Sequence, residues 1–142
     1  MSHRKQVCIA CVTGQYNCER IINAAACIAE DAGALLEIVS VLDGYCTESE
    51  LDALEYLHSI ARTVGAQMTI LYNENPVLAV TEYVKRVKAD YVITGTPGKE
   101  NKFISLLAAV LPKVKIISIP EATSADEYSD PDILNLSVNR MA

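Results

Sequence analysis

The strongest constraint on the fold is a regular alternation of apolar runs with longer amphipathic segments over residues 1–120. The apolar runs have the length of buried β-strands, and the segments between them have the length of helices. The runs are QVCIACV (6–12), ALLEIVSVL (34–42), AQMTILY (66–72), ADYVITG (89–95) and KVKIISI (113–119). Successive βαβ units are right-handed and build parallel sheets. The alternation therefore predicts an α/β fold of three layers, α/β/α, with an open, Rossmann-like parallel sheet of five strands, and we expect the strand order 3-2-1-4-5.

Residues that start helices stand between the predicted strands. Asn17 is the predicted N-cap of the first helix, and Thr47 opens the sequence TESE, which has the spacing of a capping box. Asn75 is the predicted cap of the third helix, because Pro76 then takes the first helical position, where its missing N–H costs nothing. A fourth helix is predicted within residues 102–111.

The composition is that of one globular domain followed by an acidic tail. The chain has 142 residues, of which 51% are hydrophobic, and a formal net charge of −6. The tail holds five acidic residues against Arg140, whereas the charges before it nearly balance. We therefore expect a domain over residues 1–120 and a tail over residues 121–142, which is solvated or faces a protein partner.

Charge and hydropathy also exclude some classes of function. An acidic chain without clustered Lys and Arg is not expected to bind nucleic acid. No apolar run approaches the roughly 20 residues of a membrane-spanning helix. The sequence MSHRKQ at the start has no signal-peptide pattern, and we expect a cytoplasmic protein that does not contact a membrane.

Cys8 and Cys11 have the C-x-x-C spacing of redox and zinc sites, but both fall inside the first predicted strand. Side chains three positions apart in a strand point to opposite faces, and a zinc site needs a second pair that the sequence lacks. We therefore expect core residues, free thiols and no metal. Cys18, near the first helix start, is either structural or reactive.

Two predicted strands end in loops that suit an anion. The first loop, VTGQYN (12–17), precedes a helix N-terminus, whose free N–H groups and dipole favour negative charge. After the fourth strand, Gly95 and Gly98 form a flexible turn in which Lys99 and Lys102 can face a phosphate. With strands one and four as neighbours, both loops border one crevice. The alternative is that both are ordinary turns. Asp43, after the second strand, is the one acid near this crevice, and it could equally cap a turn.

The stretch CVTGQYNCERIINAAA resembles the opening of universal stress proteins, and it is most similar to the domain of this type in the potassium sensor kinase KdpD. Residues 17–22 stand at the positions of that family's Asn-Ser-Glu-Arg-Leu-Ile. The resemblance extends from Val7 to Ile119. It implies a pocket for an adenine nucleotide, ATP, ADP or AMP, bound without a required metal.

The resemblance is incomplete at the family's phosphate motif. Gly95 and Gly98 match its G-x2-G, but Ala108 and Ala109 replace the closing Gly and Ser/Thr, and Val12 replaces the Asp after the first strand. The cyclic dinucleotide c-di-AMP, which some KdpD domains bind, is disfavoured. Thr13-Gly14-Gln15 stands in place of Ser-x-Ser, and the second strand has no aromatic residue.

The sequence therefore predicts a regulatory domain of the stress-response type, with a degenerate nucleotide crevice and no rapid turnover. It lacks a Walker lysine motif, and we expect no enzyme. Val41 is expected to pack against the base. The candidate binding residues are Val12, Thr13, Gly14, Gln15, Asn17, Val41, Asp43, Gly95, Thr96, Gly98, Lys99 and Lys102. The alternative is a ligand-free interaction module that forms a homodimer through the last strand (114–119) or binds a signalling protein related to KdpD function.

Overall fold

A computed structural model describes residues 5–96 and 102–120, so that Gly98, Lys99 and the predicted tail lie outside the described residues. The described part is a parallel five-stranded sheet in the order β3-β2-β1-β4-β5, which confirms the predicted fold class and strand order. The elements are β1 (Val7–Cys11), α1 (Glu19–Ala32), β2 (Leu35–Leu42), α2 (Glu48–Thr63), β3 (Gln67–Tyr72), α3 (Pro76–Val87), β4 (Tyr91–Gly95), α4 (Phe103–Val110) and β5 (Lys115–Ile119).

The central strand β1 separates two hydrophobic cores. Cys8 and Ala10 face the core beneath α1 and α2, whereas Val7 and Ile9 face the core beneath α3 and α4. This alternation is the period of two that a strand buried on both faces requires. Cys11 packs with the second core, so the two cysteines of the C-x-x-C lie on opposite faces, as predicted.

The starts of α2 and α3 follow the predicted capping. The Thr47 hydroxyl accepts from Glu50 N at 3.1 Å, and the Glu50 carboxylate accepts from Thr47 N at 3.3 Å, which completes the capping box. Asn75 Oδ1 accepts from Leu78 N at 3.2 Å. Each cap satisfies backbone donors that the helix leaves unpaired.

The predicted cap of α1 is wrong. Asn17 lies inside a short 3-10 turn, Tyr16–Cys18, and the residue that precedes α1 is Cys18. Cys18 N donates to Gln15 O at 3.0 Å, so the chain is already helical where it enters α1. A capping side chain needs an extended residue at that position, and Cys18 has helical dihedral angles. Consequently α1 begins without a side-chain cap.

A polar cluster holds α3 against the sheet. The Tyr83 hydroxyl donates to Glu37 of β2, and the Arg86 guanidinium lies 5.2 Å from the centre of the Tyr83 ring. Burial, together with the hydrogen bond to Glu37, raises the pKa of Tyr83 above its usual value. Among the described residues, no helix is both long and apolar enough to span a membrane.

Candidate functional site

A cleft of about 770 Å³ opens at the carboxyl ends of β1, β2 and β4. From the central strand β1 the chain order runs in opposite directions across the sheet, so the loops after β1 and β4 diverge and leave a gap between them. Residues from the N-terminal ends of α1, α3 and α4 border the gap. The cleft lies where the strand order predicted it.

Most of the predicted binding residues line this cleft. They are Val12, Thr13, Gln15, Asn17, Val41, Gly95, Thr96 and Lys102. The Thr96 hydroxyl donates to Ile119 O at 3.3 Å, which fixes the end of β4 to the end of β5. Residues that are distant in sequence, in the first loop and after β4, therefore border one space because β1 and β4 are hydrogen-bonded neighbours.

Gly14 does not line the cleft. A Cβ atom at this position would lie 2.9 Å from the Cβ and 3.0 Å from the carbonyl oxygen of Glu50. Both distances are shorter than van der Waals contact, so the missing side chain makes room for the start of α2. The close approach expected at Gly14 is that of the Glu50 backbone, which gives this glycine a packing role; its part in binding a ligand stays a prediction.

Asp43 also lies outside the residues that line the cleft. Its Oδ1 atom accepts a hydrogen bond from Tyr45 N at 3.0 Å, and its side chain is exposed. An aspartate that accepts from the amide two residues later forms an Asx turn. The structure thus supports the simpler alternative, in which Asp43 stabilises the turn after β2.

One side of the cleft is an apolar wall that the sequence analysis found only in part. Val39 and Val41 of β2 face Val77 and Val80 of α3, and Phe103 of α4 lies nearby. Val39 and Val80 are almost fully buried. These side chains belong to one packed core cluster, so the cleft has an apolar wall on this side, as most small-molecule sites do.

The charged side chains that line the described part of the cleft are both cationic. Arg20 and Lys102 border it, and no carboxylate does. This is notable in a chain whose net charge is −6. Arg20 Nε and Nη1 are buried and have no hydrogen-bond partner among the described residues. The sequence analysis missed Arg20, although a cation in the first turn of a helix opposes the helix dipole and is a recognisable signal.

The helices α1 and α4 both begin at the cleft, and the residues that precede them, Cys18 and Lys102, form no capping hydrogen bond with their side chains. At α1 the Glu19 amide instead donates to carbonyl oxygens of the preceding 3-10 turn. Uncapped N-termini carry a partial positive charge, which adds to that of the two cations.

Cys11, which lines the cleft, is a poor nucleophile. Burial raises the pKa of the Cys11 thiol from 9.0 to about 12. Cys18 is buried, and its Sγ lies 3.5 Å from the Thr13 hydroxyl. Since the thiolate is the reactive form, Cys11 stays protonated and unreactive at neutral pH. Within residues 5–96 and 102–120, no group of three or more His, Cys, Asp or Glu side chains could hold a metal ion.

The described architecture matches solved universal stress proteins. One, solved in complex with cAMP, is 20% identical and superposes with a TM-score of 0.63 over 83% of this chain and 98% of that chain. Another, from Archaeoglobus fulgidus in complex with dAMP, is 20% identical with a TM-score of 0.55, over 84% of this chain and 98% of that chain. The chain has the universal stress protein fold.

A third structure agrees with this fold assignment. An Arabidopsis thaliana universal stress protein family protein with AMP bound is 15% identical, with a TM-score of 0.57, over 91% of this chain and 99% of that chain. No protein-family model matches the sequence, and no curated protein matches it. At these identities the comparisons establish the universal stress protein fold by shape, and the site must be judged by its own chemistry.

Proposed function

We propose that the cleft binds an adenine nucleotide reversibly and without rapid turnover. The observation that carries the proposal is that the cleft has an apolar wall and a cationic rim, which is formed by Arg20 and Lys102. No carboxylate of the described residues lines the cleft. A nucleotide is divided in the same way, with a flat base at one end and phosphate at the other. Ligand sites at the switch point of an open parallel sheet lie in this place.

The apolar wall accounts for the base. Val41, which the sequence predicts to contact the base, lies beside Val39 and opposite Val77 and Val80. A purine buried between branched side chains gains the free energy of removing apolar surface from water, about 25 cal/mol per Å². Adenine is the preferred base because the solved relatives in fold hold cAMP, dAMP and AMP.

The cationic rim accounts for the phosphate. Arg20 and Lys102 supply charge, and the N-terminal end of α1, which borders the cleft, adds the partial positive charge of the helix dipole. Magnesium is not needed for such binding, because backbone amides and cations neutralise the phosphate directly. The absence of turnover is part of the proposal: the cleft-lining residues of the described chain include no carboxylate that could act as a general base.

A thermal-shift titration tests the proposal. Ligand at about a hundred times its dissociation constant stabilises the folded state by ~2.7 kcal/mol, which raises the melting temperature of a domain of this size by roughly 5–10 °C. We expect that shift with AMP, ADP or ATP, and a smaller one with GMP. Incubation with ATP should release no phosphate above background. The absence of a shift with every adenine nucleotide would refute the binding proposal.

We propose, as a second candidate, that the domain also associates with itself or with a signalling partner through α4 and β5. Leu106 and Val110 of α4 are 50% and 47% exposed, and Ala109 is exposed beside them. The strand β5 pairs only with β4 in the described sheet. An apolar helix beside an open strand edge is a surface that proteins normally cover. In KdpD-type signalling, which the sequence resemblance implies, such a surface would pass the nucleotide state to the partner.

Light scattering after size-exclusion chromatography tests self-association. Wild-type protein should elute with the mass of a dimer, and Val110→Glu should shift it to a monomer, because a charge cannot be buried unpaired in the interface. Leu51→Glu is the matched control, since Leu51 is 50% exposed on α2, away from this surface. A wild-type protein that is monomeric at all concentrations would contradict self-association, and the surface would then be expected to bind a different protein.

A further inference from the structure

The residues that the structure describes leave part of the Arg20 guanidinium without a hydrogen-bond partner. Its Nε and Nη1 atoms are buried without hydrogen-bond partners among the described residues. Its Nη2 atom lies 3.6 Å from the place where a Cβ would stand on Gly95, so the guanidinium sits against the end of β4. Arg20 also borders the cleft.

Two effects raise the energy of this guanidinium. Donors that lose water and gain no acceptor carry the full cost of desolvation. The second position of α1 adds to the cost, because the helix N-terminus is itself partly positive and Cys18 provides no cap. Glu19, the neighbouring acid, accepts a hydrogen bond from Tyr56 on α2 instead.

An anion in the cleft would remove both costs. It would place negative charge beside the Arg20 side chain, which borders the cleft, and at the positive end of α1. We propose that Arg20 binds the phosphate of the nucleotide, and that this contact makes the cleft prefer a nucleotide to its nucleoside. The inference rests on the proposed function, which assigns the nucleotide to this cleft.

The position of Gly95 fits this role. A Cβ there would lie 3.1 Å from Ile21 Cδ1 and in ordinary contact, at 3.6 Å, with Arg20 Nη2. The guanidinium therefore packs directly on the glycine that the family resemblance places in a phosphate motif. Lys102, exposed at the other side of the cleft, can add charge but is not held in place by burial.

Calorimetric titration with AMP and with adenosine tests the assignment. Arg20→Met keeps the length and apolar stem of the side chain and removes the charge. We expect AMP to bind about 10- to 100-fold more weakly to this variant, the range for a lost charge-assisted contact, while adenosine binds as it does to wild type. The affinity of the Arg20→Lys variant for AMP should lie between those of wild type and Arg20→Met. Arg62→Met, at an exposed position near the end of α2, should match wild type.

Different failures have different meanings. Equal weakening of AMP and adenosine, or no weakening of either, would overturn the role of Arg20 and leave the proposed function intact. Should wild type bind neither compound, the proposed function fails, and titration with pyrophosphate decides about Arg20. Pyrophosphate binding that Arg20→Met abolishes would keep Arg20 as an anion contact, and no binding would end both proposals.

The ligand-free stability gives an independent readout. Because an unpaired buried charge destabilises the fold, Arg20→Met without ligand should melt at or above the wild-type temperature. A clear fall in the melting temperature of this variant would mean that Arg20 has a structural partner in the protein, and would overturn the assignment. A phosphate contact predicts the opposite pattern, a more stable free protein that binds AMP less well.

Discussion

Single residues in the loop after β1 divide into those that border the cleft and those that hold the loop in place. Thr13 and Gln15 border the cleft, whereas Gly14 between them lies against Glu50. Thr13 and Gln15 thus face the cleft, and Gly14 faces α2. A substitution at Gly14 should therefore disturb folding, whereas one at either neighbouring position should disturb binding.

The contact between Gly14 and Glu50 gives a prediction for stability. Gly14→Ala should lower the free energy of unfolding by about 1–3 kcal/mol, because the added Cβ overlaps the Cβ and backbone of Glu50 and α2 must move. Urea unfolding measures the change. Gln15→Ala is the matched control in the same loop, since Gln15 is exposed, and it should change stability by less than about 0.5 kcal/mol. Equal effects of both substitutions would contradict the packing role of Gly14.

At the scale of whole elements, the helices differ in how they begin, and the difference follows their place in the fold. The N-terminus of α2 is completed by the Thr47–Glu50 capping box and packs on the loop after β1. The N-termini of α1 and α4 border the cleft, and the side chains of the residues that precede them, Cys18 and Lys102, form no cap. The positive ends of these two helices therefore face the cleft, whereas the start of α2 is completed by its own side chains.

Removal of the α2 cap should therefore cost stability without affecting the cleft. Thr47→Ala is expected to lower the free energy of unfolding by about 1 kcal/mol, because Glu50 N loses its acceptor. Thr63→Ala is the control, because it deletes the same hydroxyl from an exposed position at the other end of α2, where the hydroxyl only donates to Ile60 O. It should be nearly neutral. Nucleotide affinity, measured by titration, should be unchanged in both variants.

At the scale of the whole molecule, thiols are buried in both cores, and the stability of the fold should therefore fall as the pH becomes alkaline. Burial, with a further contribution from the negative charge of Asp90, raises the pKa of Cys8 from 9.0 to about 11, and burial raises that of Cys11 to about 12. The folded protein keeps these protons at a pH where the unfolded chain releases them. The contribution is fully present below about pH 9 and is lost as the pH rises toward the folded values.

Unfolding measured at pH 8 and at pH 10.5 tests this linkage. The contribution of each thiol to the free energy of unfolding should fall by about 1–2 kcal/mol over that range. The double variant Cys8→Ala with Cys11→Ala will also differ from wild type in absolute stability. The quantity to compare is therefore the change in the free energy of unfolding between the two pH values, which should be smaller in the variant than in wild type. Parallel curves would show that these thiols do not control the alkaline loss.

The sequence by itself determined the layers and two helix starts of this protein, because these follow from local periodicity and from side chains that bond to nearby backbone. The strand order was assumed for a fold of this class, and the structure confirms it. Eight of the twelve candidate binding residues that the sequence predicts line the cleft, since parallel strands end at the same edge of a sheet. The prediction that Asn17 caps α1 was wrong, because residues 16–18 form a 3-10 turn where a capped helix start was expected. The two conformations differ over only a few residues. Only the tertiary structure decided that Gly14 faces Glu50 and that the Arg20 guanidinium is buried beside Gly95 without a partner in the described chain. Both depend on contacts between elements distant along the chain, and no local pattern records such contacts.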